Sequence, residues 1–459
     1  MLYGSMKKGR VPLVLLGATL LLLSMGGCGE SEEKKAPTGE PVDIALGFVE
    51  ELKDGAFEQA AEKFGEAMAR EMPKERLEQT WNQLKGQVGD FLEVQSQREE
   101  VLQGYDVVFV TTEFQNALID IRVVLGEEGW IEGLFFQPAE ASPDNGEGAW
   151  DKPEYIHREA FREEAVTFGK APWILEGTLA IPEGEGPFPA VILVHGSGPN
   201  DRDETVGANK PFKDIAQGLA SSGIAVLRYD KRTYTYGEDL RDAEEPVTVR
   251  EETMEDALEA LEYIKSRQEV NHQEVYLAGH SLGGMLLPRI ADETRDLNGL
   301  IYLAAPARPL GDLILMQMEY LAEQEGDSSV MKAQLEEARE QIRRIMDPEL
   351  PLDTDPEEIM GVSPAYWLDL QQYSPVDTAK DLDIPMIFIQ GERDYQVTME
   401  DYEIWTEALG DREETRFISY PGLNHLLIHG EGPSMPEEYM EPGHVDQAVI
   451  RDLIQWLER

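Results

Sequence analysis

The segment that most restricts what this chain can become is Gly279-His280-Ser281-Leu282-Gly283-Gly284. It follows a short apolar run, Val275-Tyr276-Leu277-Ala278, and precedes a helix-compatible run, Met285-Leu286-Leu287. A serine between glycines two residues away on either side suits a sharp strand-to-helix turn, where flanking side chains have no room. The helix that follows offers free N–H groups and the positive end of its dipole to developing negative charge. A tight structural turn would satisfy the same spacing, so the rest of the chain must supply the partners.

The surrounding pattern agrees with that turn. Trp173–Ile181, Ala190–Val194, Ala225–Tyr229, Val275–Ala278, Leu300–Leu303, Met386–Ile389 and Arg416–Tyr420 are short apolar runs of strand type. Helix-period segments, among them Phe212–Ser221, Thr253–Ser266 and Ala448–Leu457, fall between or after them. Short apolar strands alternating with helices predict a mostly parallel sheet buried on both faces. The spacing breaks between Leu303 and Met386. There, about residues 308–375 carry two amphipathic stripes, Leu310/Leu313/Ile314/Leu321 and Met331/Leu335/Ala338/Ile342/Ile345. An insert at that point is expected to lie over the active edge of the sheet as a helical lid. Its methionines and leucines fit lid packing, with an acyl-lining surface as the sharper reading.

A serine hydroxyl needs a base, and the base an orienting acid. After a nucleophile on such a turn, the acid and then the histidine hang from later strands. His425 closes Tyr420-Pro421-Gly422-Leu423-Asn424-His425, in the loop leaving the last strand run. His429 and His444 also follow the candidate acids, with His429 expected as an outlying neighbour. Asp394 ends Gly391-Glu392-Arg393-Asp394, directly after the strand Met386–Ile389, with Glu392 inside the turn as its competitor. Acyl transfer further needs two N–H donors aimed at the oxyanion. Leu282, after the nucleophile, supplies one, and the Ser197 amide in the loop His195-Gly196-Ser197-Gly198 is nominated for the other. His195 is expected to brace that loop, and His280 to be packed within the turn. The polar run Asn200-Asp201-Arg202-Asp203 is expected to fix the loop through hydrogen bonds.

Taken together, His195-Gly-Ser-Gly-Pro-Asn-Asp-Arg-Asp203-Glu-Thr, Tyr229-Asp-Lys-Arg232, Gly279-His-Ser-Leu-Gly283, Gly391-Glu-Arg-Asp394 and Asn424-His425 resemble the α/β-hydrolase superfamily. Within it the chain is most similar to bacterial secreted carboxylesterases close to serine aminopeptidase-like hydrolases, over about residues 160–459. The resemblance implies an α/β-hydrolase fold and a serine hydrolase acting on small-molecule esters, with Ser281, Asp394 and His425 as triad and no cofactor. One departure is the Thr-Tyr-Thr-Tyr-Gly run after Arg232, where many relatives carry a short Gly-rich turn.

The first 160 residues read differently. Lys7, Lys8 and Arg10 precede an uncharged apolar run, Val11–Leu23, and then Ser24-Met25-Gly26-Gly27-Cys28. This is the pattern of an export signal, and the run is too short for the ~20 apolar residues of a comfortable transmembrane helix. Cys28 after two glycines resembles the lipobox of bacterial lipoproteins, with Met25 where leucine is usual. That resemblance implies removal of residues 1–27, lipidation of Cys28 and an extracytoplasmic protein held at the membrane. Residues 28–41 read as a flexible spacer. Helical spacing over Val42–Gly86 gives way to period two over Phe91–Phe136, predicting a small α+β domain at 42–138. Its pattern resembles an uncharacterised module found before secreted α/β hydrolases. A linker is expected at 139–155, before the hydrolase domain at 156–459.

Composition closes off other classes. The chain of 459 residues carries 40 Lys+Arg against 90 Asp+Glu, a net charge of −50 that becomes −53 without residues 1–27. Such a polyanion repels phosphate backbones, so a nucleic-acid partner is not expected. It equally repels anionic lipid headgroups, so membrane attachment falls to the lipid on Cys28. Cys28 is the single cysteine, which excludes an intrachain disulfide or a thiolate metal site. No His-Glu-x-x-His or phosphate-cradling glycine motif occurs, so neither metal nor nucleotide is expected. A peptidase on the same triad and a non-enzymatic envelope-binding lipoprotein remain as alternative functions.

Overall fold

The computed structural model describes residues 37, 39–102, 105–115, 117–126, 129–138, 150, 152–241, 246–325 and 329–459. Cys28 and the export and lipidation features lie outside the described residues. The chain divides into two compact units, Met1–Gly148 and Ala149–Arg459.

In the first unit, the helices Pro41–Lys53, Phe57–Glu62, Glu66–Glu71 and Lys74–Val88 precede a four-stranded antiparallel sheet. Its strands are β1 (Phe91–Leu102), β2 (Tyr105–Phe114), β3 (Leu118–Leu125) and β4 (Ile131–Pro138), paired in chain order. On β3 the alternation Ile119, Ile121, Val123, Leu125 buries one face, as the period-two pattern requires. Leu77 and Trp81 close the core from the helical side, and the Trp81 indole meets the Phe114 ring edge-on at 5.6 Å. Asp120, fully buried on the opposite face of β3, is satisfied by Thr111 Oγ1 at 2.7 Å.

The second unit is built on eight strands. These are β5 (Phe161–Lys170), β6 (Trp173–Pro182), β7 (Phe188–Val194), β8 (Ala225–Tyr229), β9 (Val270–His280), β10 (Gly299–Leu303), β11 (Met386–Gly391) and β12 (Thr415–Tyr420). They stand in the order β12-β11-β10-β9-β7-β8-β6-β5. All pairings from β12 through β8 are parallel, whereas β6 runs antiparallel to both β8 and β5.

Both faces of this sheet are buried by strict alternation. Ile192, Leu277, Tyr302 and Phe388 pack on one side with the helices Glu255–Ser266 and Leu282–Thr294. Leu193, Ala278, Ile301 and Ile387 pack on the other with the helices Pro211–Ala220 and Gln447–Leu457. That explains why the strands read as continuous apolar runs in the sequence. The register aligns the carboxyl ends: Val194 pairs with Gly279, His280 with Leu303, Leu303 with Ile389, and Gly391 with Tyr420. The connections that follow these five strands therefore leave the sheet along one edge.

Two differences from the sequence reading stand out. The stretch expected as linker up to residue 155 is partly structural: Trp150 Nε1 donates to Asp214 at 2.9 Å, and Tyr155 Oη to the Val445 carbonyl at 2.9 Å. Aromatic rings with one polar tip anchor a chain entry this way. The insertion between β10 and β11 also holds more than two helices. Leu310–Glu325 and Ser329–Ile345 are followed by Pro364–Gln371 and Pro375–Lys380, each of the latter two begun by a serine cap and a proline.

Candidate active site

Ser281 sits at the sharp turn between β9 and the helix Leu282–Thr294 with φ 50° and ψ −122°. A non-glycine residue in that region costs on the order of 1–3 kcal/mol and persists only where its surroundings fix it. Here they do. A Cβ on Gly279 would lie 2.5 Å from the Gly283 carbonyl, and one on Gly283 would lie 2.3 Å from the Val194 carbonyl. The backbone is pinned by Ser281 N–H to the Leu303 carbonyl at 3.0 Å and by Met285 N–H to the Ser281 carbonyl at 3.0 Å. Ser281 itself is half-buried, so its hydroxyl is not sealed in the core.

The turn after β11 delivers Asp394, and the loop after β12 delivers His425. Nδ1 of His425 lies 2.7 Å from Oδ2 of the buried Asp394. The other carboxylate oxygen accepts from the backbone N–H of Gln396 at 2.8 Å and of Val397 at 3.0 Å. Fixed on one side by two amides, the carboxylate fixes the imidazole in turn. Asn424 holds the histidine loop, its Oδ1 accepting from Leu426 and Ile428 N–H, both at 3.1 Å. Glu392, the competing acid, is exposed and accepts from Ser419 Oγ at 2.8 Å, away from His425. His429 is exposed, and His444 pairs with Asp214 at 3.2 Å elsewhere.

His280, the residue before Ser281, joins these parts. Its Nε2 donates to the His425 carbonyl at 2.9 Å, and the two rings stand 4.6 Å apart. Its Nδ1 lies 3.1 Å from Oε2 of the buried Glu204, whose Oε1 accepts from Gly196 N–H at 2.7 Å. Burial opposes charge on both side chains, yet their mutual attraction prevails: the His280 pKa is raised and that of Glu204 lowered. They form a buried ion pair linking the serine turn, the histidine loop and the loop after β7.

That last loop, His195–Asn200, runs against Ser281, since a Cβ on Gly196 would lie 3.2 Å from the Ser281 Cβ. Asn200 Nδ2 spans the carbonyls of Gly196, Ser197 and Gly198 at 3.1–3.3 Å. Arg202 and Asp203 tie the following residues to Asp230 and Arg228, so the expected hydrogen-bond network is present. His195 packs against Phe212 and Tyr229 at 4.8 and 5.1 Å, and burial pushes its pKa down to about 4, so it braces the loop as a neutral ring. Among the described residues, the N–H groups of Ser197 and Leu282 take no intramolecular hydrogen bond, and both lie on segments adjoining Ser281.

Several contributors carried no separable signal in the sequence. Glu204 and Lys231 stand within recognised runs but without an assigned role. Glu252 and Tyr366 fall outside every motif. Only the positive φ of Glu204, 50°, marks it locally, and that exists only once the chain is folded. The insertion also reaches the site: Gln317 Nε2 donates to the Gln396 carbonyl at 3.0 Å, and the Tyr320 ring stacks on Tyr395 at 5.1 Å. Among the described residues no group of three or more His, Cys, Asp or Glu could hold a metal ion, and no helix is long and apolar enough to cross a membrane.

A parallel sheet with one reversed strand, a strained serine between β9 and its helix, and an acid and histidine on later connections together define an architecture. The chain belongs to the alpha/beta hydrolase family, whose model matches residues 191–441, and it is an enzyme of the hydrolase class. Residues 45–134 match a second family, described only as a protein of unknown function (DUF3887). Over 410 residues the chain is 40% identical to esterase EstD of Thermotoga maritima, covering 89% of this chain and 93% of that protein. Among solved structures it is similar to Est1E from Butyrivibrio proteoclasticus, with a TM-score of 0.41 and 19% identity over 64% of this chain and 99% of that one. It is also similar to Pyrococcus horikoshii acylaminoacyl peptidase, with a TM-score of 0.44 and 15% identity over 81% and 56% of the two chains.

Proposed function

We propose that the protein is a serine carboxylesterase whose acyl-enzyme forms on Ser281. Ser281 Oγ attacks the ester carbonyl carbon while His425 takes the hydroxyl proton. Asp394 holds the imidazole and balances its charge as it becomes imidazolium. The carbonyl π electrons move onto oxygen, and the N–H groups of Leu282 and Ser197 receive that oxyanion. Collapse breaks the bond to the alkoxy group, which leaves with the proton from His425. Water then repeats the sequence on the acyl-enzyme, releasing the carboxylic acid and restoring Ser281.

The observation that carries this reading is the 2.7 Å bond between His425 and Asp394, together with His280, the residue before the strained Ser281, donating to the His425 carbonyl at 2.9 Å. The 40% identity to a protein named as an esterase supports ester over amide substrates. The insertion between β10 and β11 is read as a lid over this edge. The pattern ending at Cys28 supports an extracytoplasmic protein anchored by lipid.

The decisive experiment treats the full chain with a fluorophosphonate probe and assays p-nitrophenyl acyl esters beside aminoacyl anilides. Labelling that disappears in Ser281→Ala, with turnover of esters only, is expected. Faster turnover of anilides would make the protein a peptidase, and a folded but unlabelled wild type would remove the serine chemistry altogether.

A further inference from the structure

Lys231 and Glu252 form a buried ion pair that the chemistry above does not use. Lys231 is 1% exposed, and its Nζ donates to Glu252 at 2.8 Å and to the Gly196 carbonyl at 2.9 Å. The same Glu252 oxygen accepts from Gly198 N–H at 2.9 Å. The peptide groups on both sides of Ser197 are thus clamped: Gly196 by Glu204 and Lys231, Gly198 by Glu252. Glu252 lies on the single wide turn Arg250–Met254, an irregularity that re-aims a side chain and recurs at functional sites. Its second oxygen accepts from Tyr366 Oη at 2.6 Å, and Tyr366 belongs to the insertion, on the helix Pro364–Gln371. Burial and the neighbouring carboxylate push the Tyr366 pKa well up, which keeps the phenol a donor. The base of that helix is tied down by Ser363 Oγ donating to the Val247 carbonyl at 3.1 Å.

We propose that Glu252 is a positioning residue for the oxyanion donor at Ser197, and that Tyr366 couples the insertion to it. The proposal rests on the reading of Ser197 N–H as that donor. A carboxylate accepting from Gly198 N–H, Lys231 and Tyr366 together has little freedom, so the loop it holds is preorganised. Removing the Tyr366 hydroxyl leaves one Glu252 oxygen without its buried donor and releases the carboxylate to shift. Glu252 touches no substrate in this scheme. Its effect falls on the tetrahedral state, whose charge the loop receives, and not on ground-state binding.

The test uses the full chain with Tyr366→Phe and Glu252→Gln. A boronic acid probe is included, because its tetrahedral adduct with the serine places an oxygen where the oxyanion forms. For Tyr366→Phe, kcat on a p-nitrophenyl ester is expected to fall about tenfold, with KM changed by no more than about twofold. Boronate affinity should fall in step with kcat/KM across both variants, and fluorophosphonate labelling should persist more slowly. Glu252→Gln keeps an acceptor for Gly198 N–H and should retain more activity than Glu252→Ala. Should Glu252→Ala not fold, Tyr366→Phe alone decides, since it removes one hydroxyl. A folded Tyr366→Phe with unchanged kcat, or lower activity with unchanged boronate affinity, overturns the proposal. Failure of the wild type to take the fluorophosphonate would overturn the serine reading on which it rests, a separate outcome.

Discussion

His280 Nδ1 stands 3.1 Å from Glu204 Oε2, and through this contact a residue of the serine turn is bound to the loop that follows β7. The pair is buried, so its contribution depends on both charges. His280 has a raised pKa, so its share is complete below the unfolded value of 6.5 and is lost as pH rises through the raised value. Glu204 has a lowered pKa, so its share is complete above 4.5 and is lost as pH falls through the lowered value. Between those limits the pair is fully formed. Urea unfolding of wild type and His280→Gln at pH 6 and pH 9 checks this: the stability gap between them should narrow at pH 9.

His195 adds an acid limb. Its pKa is pushed by burial from 6.5 down to about 4, so the neutral ring stabilises the fold above 6.5 and that benefit is lost as pH falls toward 4. The full loss is about 3 kcal/mol. Denaturant titrations at pH 7 and pH 4 should show the wild type losing more stability over that interval than a folded His195→Asn variant.

Asp394→Asn should leave the fold intact and lower kcat by about 10³–10⁴-fold, because an amide in place of the carboxylate favours the wrong imidazole tautomer. Glu392→Gln should leave kcat within about twofold, since Glu392 bonds Ser419 at the surface. Steady-state kinetics on one ester suffices. An inverted result would transfer the acid role to Glu392.

The tight packing behind Ser281 predicts a contrast between glycines. A methyl on Gly283 would lie 2.3 Å from the Val194 carbonyl and 2.5 Å from that of His195, so Gly283→Ala must displace backbone. It should cost about 3 kcal/mol or more. Gly223, at φ 88° with nothing within 4 Å of a new methyl, should cost only the backbone strain of about 1 kcal/mol as Gly223→Ala. Urea midpoints rank the two.

Lipid attachment is tested by expressing the full chain in a bacterium fed labelled fatty acid. Wild type should carry label and sediment with membranes, whereas Cys28→Ala should carry none. An unlabelled wild type would leave the apolar run Val11–Leu23 as an uncleaved anchor.

Much of the second unit was legible because burial on both faces writes each strand as an apolar run. Ala225–Tyr229 reads to the residue, and Met386–Ile389 falls short by only the two residues that turn toward Asp394. The serine turn was legible because glycine alone fits beside it. Less legible was β5, Phe161–Lys170, where exposed Arg162, Glu163 and Thr167 interrupt the apolar signal of an edge strand. The clamp of Lys231, Glu252 and Tyr366 was not legible at all. Its members lie 21 and 114 residues apart and carry no periodicity, and only the folded sheet edge brings them together.

The insertion leaves the sheet after β10 and returns at β11, between the strand beside the serine turn and the strand that presents Asp394. In the lid role proposed above, changes of length or sequence there would alter which molecules are admitted, while Ser281 N–H stays held by Leu303 and the histidine loop by Asn424. Selectivity and chemistry then stay joined at two junctions, where Tyr366 meets Glu252 and where Gln317 meets the Gln396 carbonyl beside Asp394.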